Sequence, residues 1–276
     1  MTQQLEFRRL VLGSPYRIPG HSMRLATELA EVLRLDLFAL FVEEESVRNL
    51  AGLPFTREFR PLGGGWRPLD VDQLTRDLEI AGRNAEKAFR EAVKNLQTPC
   101  RFEIVRGSTT EIIASISRRT DILLIPEPEG AADRVTAQFA ATLEAALRSA
   151  AAVLLVPSRI ARRSGAIVAL ATEPNDPSIA AAKVLAGAAG EELVVIEGRK
   201  AMPDRFVGRS SEKSAAQFGG IRAASRSLAD VTEIGGLEQM SERLIVASRK
   251  SDLHPLAIAS VRRVPVLIVE PPLEKA

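Results

Sequence analysis

Two turns in this 276-residue chain carry residue types from which phosphate or anion chemistry could be built. The first ends an apolar run: Asp121-Ile-Leu-Leu-Ile-Pro-Glu-Pro-Glu-Gly-Ala-Ala-Asp-Arg134. In a parallel α/β sheet, a strand-to-helix turn is where glycines let backbone N–H groups approach phosphate oxygens, and a helix N-terminus adds partial positive charge. Here Glu127, Glu129 and Asp133 surround a single glycine, Gly130, and two prolines. One carboxylate about 5 Å from a phosphate charge costs roughly 3 kcal/mol at an effective dielectric near 20. Such a turn repels the ligand its position would otherwise suit. The second turn, Ser248-Arg-Lys-Ser251, is basic and runs into a helical pattern with Ser251 or Asp252 as N-cap. Ser248, Arg249, Lys250 and Ser251 are the candidate ligands for a small anion; a solvated, charged turn with a helix cap is the alternative. Glu43-Glu-Glu45 could attract a cation, or be three solvated acids at a strand exit.

Other chemistry is excluded by spacing. His21 and His254 are the only histidines and lie far apart in the chain, which indicates neither a metal cluster nor a Ser-His-Asp arrangement. Gly13-x6-Gly20-His21-Ser22 has the wrong spacing and no lysine for a phosphate-binding P-loop. A phospho-receiver would need paired acids after its first strand and an Asp after its third, where Ser14-Pro15 and Arg106-Gly107 stand. No catalytic residue and no metal site is expected. Cys100, the sole cysteine, precludes an intramolecular disulfide and suits a reducing compartment. The first ten residues lack the apolar centre of a signal peptide, and no run approaches the roughly 20 apolar residues of a membrane span. These features predict a cytoplasmic chain with no membrane insertion. Formal net charge is +2, with acids and bases balanced in both halves, so the basic stripe of a nucleic-acid binder is lacking.

The elements that must position these turns are short apolar runs alternating with amphipathic stretches. Strands are predicted at 10–12, 37–42, 102–105, 122–125 and 153–156, and again at 167–170, 193–196, 221–224, 244–247 and 266–269. Helical patterns fall near 21–34, 72–96, 109–118, 134–149, 177–189, 229–240 and 252–262, while 199–218 is too polar to assign. The 72–96 pattern places Leu74, Leu78, Ala81, Ala85, Ala88 and Ala92 at helical spacing with charges opposite. Strict strand–helix alternation implies parallel pairing with right-handed crossovers. The chain also repeats itself: Ala152-Val-Leu-Leu-Val-Pro157 answers Pro265-Val-Leu-Ile-Val-Glu270. Two tandem α/β domains follow, 1–158 and 164–276, joined by the basic segment Ser158-Arg-Ile-Ala-Arg-Arg-Ser164. Only the first carries an insertion, about 43–71, with Phe55, Phe59, Gly63–Gly65 and the sole tryptophan, Trp66. Exposed aromatics there could meet a protein partner; folding back onto their own domain is the alternative.

The stretch Phe102-Glu-Ile-Val-Arg-Gly-Ser-Thr-Thr-Glu-Ile-Ile-Ala-Ser-Ile116, followed by Thr120-Asp-Ile-Leu-Leu-Ile125, resembles the third strand, glycine turn, helix and fourth strand of the universal stress protein superfamily. Gly13-Ser-Pro15 resembles the turn after that family's first strand. The resemblance implies two doubly wound, Rossmann-like domains, each a five-stranded parallel sheet, forming a pseudo-dimer through 153–156 and 266–269, with a further homo-oligomer open. It also implies ATP as the usual ligand, held by an Asp ending the first strand and a G-x2-G-x9-G-[S/T] loop after the fourth. Leu12 and Ala171 stand where that Asp belongs. Counting from Gly130 puts Asp133, Leu143 and Glu144 on the later loop positions. No cofactor is therefore expected. The function implied is a non-enzymatic, stress-linked regulator or scaffold acting through protein contacts. A sensor of a different nucleotide or small anion in the second domain is one alternative. An adenine-nucleotide hydrolase-like enzyme is another, but Gly13–Ser22 does not supply its Ser-Gly-Gly-x-Asp-Ser type loop.

Overall fold

The computed structural model describes residues 7–15, 18–53, 55–60, 65–128, 136–173, 175–198, 215–218, 221–228, 241–249 and 255–270. The first part of the chain runs β1 (Arg9–Pro15), α1 (Gly20–Leu33), β2 (Asp36–Glu44), α2 (Glu45–Ala51), β3 (Arg57–Arg60), β4 (Gly65–Pro68) and α3 (Val71–Ala92). It continues through β5 (Cys100–Gly107), α4 (Thr109–Ile116), β6 (Asp121–Pro126), α5 (Ala137–Ser149) and β7 (Ala152–Val156). The remainder is β8 (Ala166–Ala171), α6 (Pro177–Ala189), β9 (Leu193–Gly198), β10 (Ala215–Phe218), β11 (Ile221–Leu228), β12 (Glu242–Ser248), α7 (Pro255–Arg262) and β13 (Val266–Val269). Every strand expected from the apolar runs is present. The expected helix at 229–240 lies outside the described residues, as do Gly63 and Gly64.

Eleven of the thirteen described strands form one sheet, in the order β10-β11-β9-β8-β12-β13-β7-β6-β1-β2-β5, and β3 and β4 pair apart from it. From the centre outward, the same order occurs twice: fifth, fourth, first, second and third strand of each run of five. Within each run the pairing is parallel, and the runs meet where β7 and β13 pair antiparallel, Val153 opposite Ile268. Side chains of successive strand residues point to opposite faces, so each face collects every second residue. One face joins Leu10, Leu12, Leu154 and Val246 to Met23 and Leu29 of α1, Phe89 of α3 and Leu185 of α6. The other joins Val11, Leu155, Val168 and Ile268 to Ile113 of α4, Ala146 of α5 and Ile258 of α7. Both cores continue across the β7–β13 seam. Helices on both faces explain why the strands read as unbroken apolar runs.

Helix starts follow from local chemistry. Asp70 accepts from the Gln73 N–H at 3.0 Å to begin α3, and Thr136 accepts from Phe139 at 3.3 Å to begin α5. The Gln73 bond is the main reason the Asp70 carboxyl sits below its ordinary value. Asp176 caps α6, Pro177 fits its first turn, and Gly190 closes it at φ 66°. The fourth strand of each run opens on a fully buried acid. Asp121, paired in register with Arg9, receives that guanidinium at 2.6 and 3.2 Å. Glu242 sits opposite Ala166, which offers no charge; Arg262 reaches it instead at 2.7 Å and Arg162 at 3.4 Å.

Candidate functional site

Strand order reverses between β1 and β6 in the first run and between β8 and β12 in the second, which puts the ligand crevices of such a sheet at those carboxyl ends. In the first crevice Leu12 is fully buried and offers no charge. A Cβ added at Gly13 would lie 3.7 Å from Ile113 Cδ1, so α4 packs at ordinary contact distance against the end of β1. Glu127 leaves the end of β6 toward the seam rather than the crevice. Its N–H donates to the Val156 carbonyl of β7 at 2.7 Å, and its buried carboxylate accepts from the Ser260 hydroxyl on α7. Glu129, Gly130 and Asp133 lie outside the described residues.

At the second crevice stands a residue that sequence reading passed over. Asp176, 3% exposed, accepts from the Thr172 N–H at 2.9 Å, the Thr172 hydroxyl at 3.0 Å and the Ser178 N–H at 2.9 Å. The backbone donors leaving β8 are thereby satisfied by a carboxylate from the chain itself, and its charge opposes a phosphate at the same place. Asp-Pro-Ser ahead of an alanine-rich stretch is a helix-start signature, which is the signal that could have found it.

Of the four anion candidates, Ser248 is buried at the end of β12, and Lys250 and Ser251 lie outside the described residues. The Arg249 guanidinium already donates to Glu270 at 3.2 Å, to Glu144 at 3.1 Å and to the Leu147 carbonyl at 3.0 Å. It bridges β12 to α5 across the seam. Of the three acids at the exit of β2 only Glu45 is exposed; Glu43 and Glu44 are each 3% exposed. Glu43 receives Arg106 at 2.7 Å and Arg48 at 3.5 Å, and Glu44 receives the Thr109 N–H at 2.9 Å. Among the described residues no group of three or more His, Cys, Asp or Glu is placed to hold a metal. His21 stands in the first turn of α1 with Nε2 3.1 Å from the Pro157 carbonyl. Burial pushes the Cys100 thiol up from its ordinary value, and Sγ donates to the Thr98 carbonyl at 3.2 Å.

The insertion has structure that its sequence did not announce. It forms α2 and an antiparallel β3–β4 hairpin, in which Phe59 pairs with Trp66 at a ring-centroid distance of 5.3 Å. The aromatics do not fold into a core. Phe55 is 90%, Trp66 65% and Phe59 57% exposed, and Leu50 and Leu53 beside them are more than half exposed. Scattered exposed apolar residues are ordinary; five on one short excursion make a patch of the kind that marks contact sites.

Among solved structures, this chain is similar to a universal stress protein from Archaeoglobus fulgidus, at TM-score 0.62 and 13% identity over 96% of this chain and 98% of that one. A protein of unknown function from Pseudomonas aeruginosa matches at TM-score 0.53 and 15% identity, covering 98% of this chain and 95% of its own. A universal stress protein homologue from another strain of that organism gives the same TM-score and identity over 97% and 95%. At these identities the likeness establishes the fold: the mixed α/β, Rossmann-like architecture of universal stress protein structures, along the whole chain. No protein-family model matches the sequence, and no curated protein does. No helix among the described residues is long and apolar enough to cross a membrane.

Proposed function

We propose that this chain is a tandem universal stress protein-like regulator that works in the cytoplasm by protein contact, without catalysis and without ATP at its two crevices. The observation that carries this reading is the exposure of the insertion's aromatics, Phe55, Phe59 and Trp66, together with an uncharged Leu12 and the Asp176 carboxylate at the two strand exits. Aromatic side chains supply large contact area at low entropic cost and dominate protein interfaces. The two five-strand runs behave as the halves of a pseudo-dimer. The antiparallel β7–β13 pairing and the cores that cross it support this, and a further homo-oligomer would use other edges. Ser248–Ser251 is left without a ligand, because Arg249 already serves Glu144, Glu270 and Leu147.

Photo-crosslinking with 8-azido-ATP, followed by peptide mapping, tests the loss of nucleotide chemistry. Label on the peptides 10–20, 126–136 or 171–178 would overturn it. The contact claim is checked by comparing proteins that co-purify with the wild type and with Phe55→Ser/Trp66→Ser. Specific partners lost in a variant with an unchanged melting temperature support the hairpin; an identical partner set rejects it.

A further inference from the structure

A basic cavity of about 510 Å3 lies at one end of the β7–β13 seam. Its walls come from α1, from the 158–163 segment between the two runs, and from the starts of β12 and β13. Five arginines line it, Arg24, Arg159, Arg162, Arg163 and Arg243, against a single lining carboxylate, Glu28. Arg243 forms a fixed floor: its side chain is 11% exposed and sits 2.8 Å from Glu28 and 2.9 Å from Glu191. Arg162 leans out toward Glu242, a carboxylate already held by Arg262. Arg24, Arg159 and Arg163 have no carboxylate partner among the described residues. Leu25, Ile160 and Pro265 make up the apolar part of the wall.

We propose that this cavity binds a small anion carrying two or more phosphate groups. Three arguments converge. Guanidinium forks match phosphate oxygens bidentately, and arginine is favoured wherever that geometry matters. Like charges gathered around one cavity repel one another, and an anion seated among them reverses the sign of that interaction. The volume falls in the range of small-molecule sites, and Leu25, Ile160 and Pro265 offer apolar contact to the ligand's body. The site is separate from both strand-order crevices. It is also separate from the Ser248–Ser251 turn, since Arg243 and Arg249 lie at opposite ends of β12, about 20 Å apart at the rise of a strand. A ligand here touches α1 of the first run, the joining segment and β12 of the second at once, so occupancy ties the two runs together.

Isothermal titration of the full chain at low salt with fructose 1,6-bisphosphate and with inorganic pyrophosphate tests the assignment. Both are expected to saturate one common site and to raise the melting temperature. Arg159→Ala/Arg163→Ala should weaken binding at least tenfold; both side chains are exposed, so the unliganded melting temperature should hold. Arg76→Ala/Arg83→Ala, which removes equal charge from the exposed face of α3, should bind as the wild type does. The proposal is overturned if neither probe saturates by 1 mM, or if the two double variants lose affinity equally. It is equally overturned if binding persists in Arg159→Ala/Arg163→Ala and disappears in Arg249→Ala.

Discussion

The fourth strands of the two runs begin alike and are secured differently. Asp121 and Glu242 are both fully buried acids at the first position of their strands. In the first run the cross-strand neighbour is Arg9, and one strand pair neutralises its own charge. In the second run the same place holds Ala166, and neutralisation comes from Arg262 at the end of α7 and Arg162 in the joining segment. Burying a carboxylate without a partner is costly. When one strand loses the local partner, elements remote in sequence must take over, and the joining segment becomes part of the second run's electrostatics. The strand exits differ too: in the first run Ile113 packs against Gly13 of β1, and in the second the Asp176 carboxylate accepts from the Thr172 N–H.

The largest way to break this comparison is at Gly165, the residue before β8, which takes the place Arg8 holds before β1. Gly165 has φ 130°, and a Cβ there would fall 1.8 Å from the Ser241 carbonyl oxygen. Gly165→Ala should therefore cost about 3 kcal/mol or more in urea denaturation, from strain and overlap together. Next is the pair of arginine deletions. Arg9→Ala leaves Asp121 without a charged partner among the described residues and should cost about 3–5 kcal/mol. Arg262→Ala leaves Glu242 with Arg162 and should cost about 1–2 kcal/mol, a gap that closes in Arg162→Ala/Arg262→Ala. Equal single-variant losses would show that Arg162 does not share the load. Asp176→Ala should cost roughly 1–2 kcal/mol, for a lost cap and an orphaned Thr172 N–H, where Gly13→Ala, facing ordinary contact distances, should be milder.

The smallest effect is the pH dependence of the α3 cap. The Asp70 carboxyl is lowered, chiefly by the Gln73 N–H, so its contribution is present above the ordinary Asp value and lost as pH falls through the lowered one. Asp70→Asn should keep a cap and remove that part of the acid dependence, as read by the difference in melting temperature between pH 7 and pH 3.

Much of the fold was legible. Leu10–Leu12, Ile122–Ile125 and Val153–Val156 are apolar on both faces because both faces are covered, and such runs are visible without structure. The α3 helix was legible from its period, but not its buried face: Leu78, Gly82 and Phe89 are buried, while Ala88 of the expected stripe is exposed. The β3–β4 hairpin was not legible: each strand has four residues, and Trp66 and Phe59 are exposed, so no burial pattern marks them. β10, also of four residues, lies in a stretch too polar to assign.

The sites were less legible than the fold. That Leu12 and Ala171 supply no charge at the strand exits could be read directly, since it depends only on residue identity. That Arg249 is tied to Glu144 and Leu147, more than 100 residues away, could not. Nor could the convergence of Arg24, Arg159, Arg163 and Arg243 on one cavity, because the antiparallel seam is what brings the end of β7 to the start of β13. The sequence by itself determined the alternating elements, their repeat and the residue types at the strand exits, all of which follow from local pattern and residue identity. Tertiary structure alone decided which charges meet, because ion pairs and cavities depend on distances that strand order and pairing direction set.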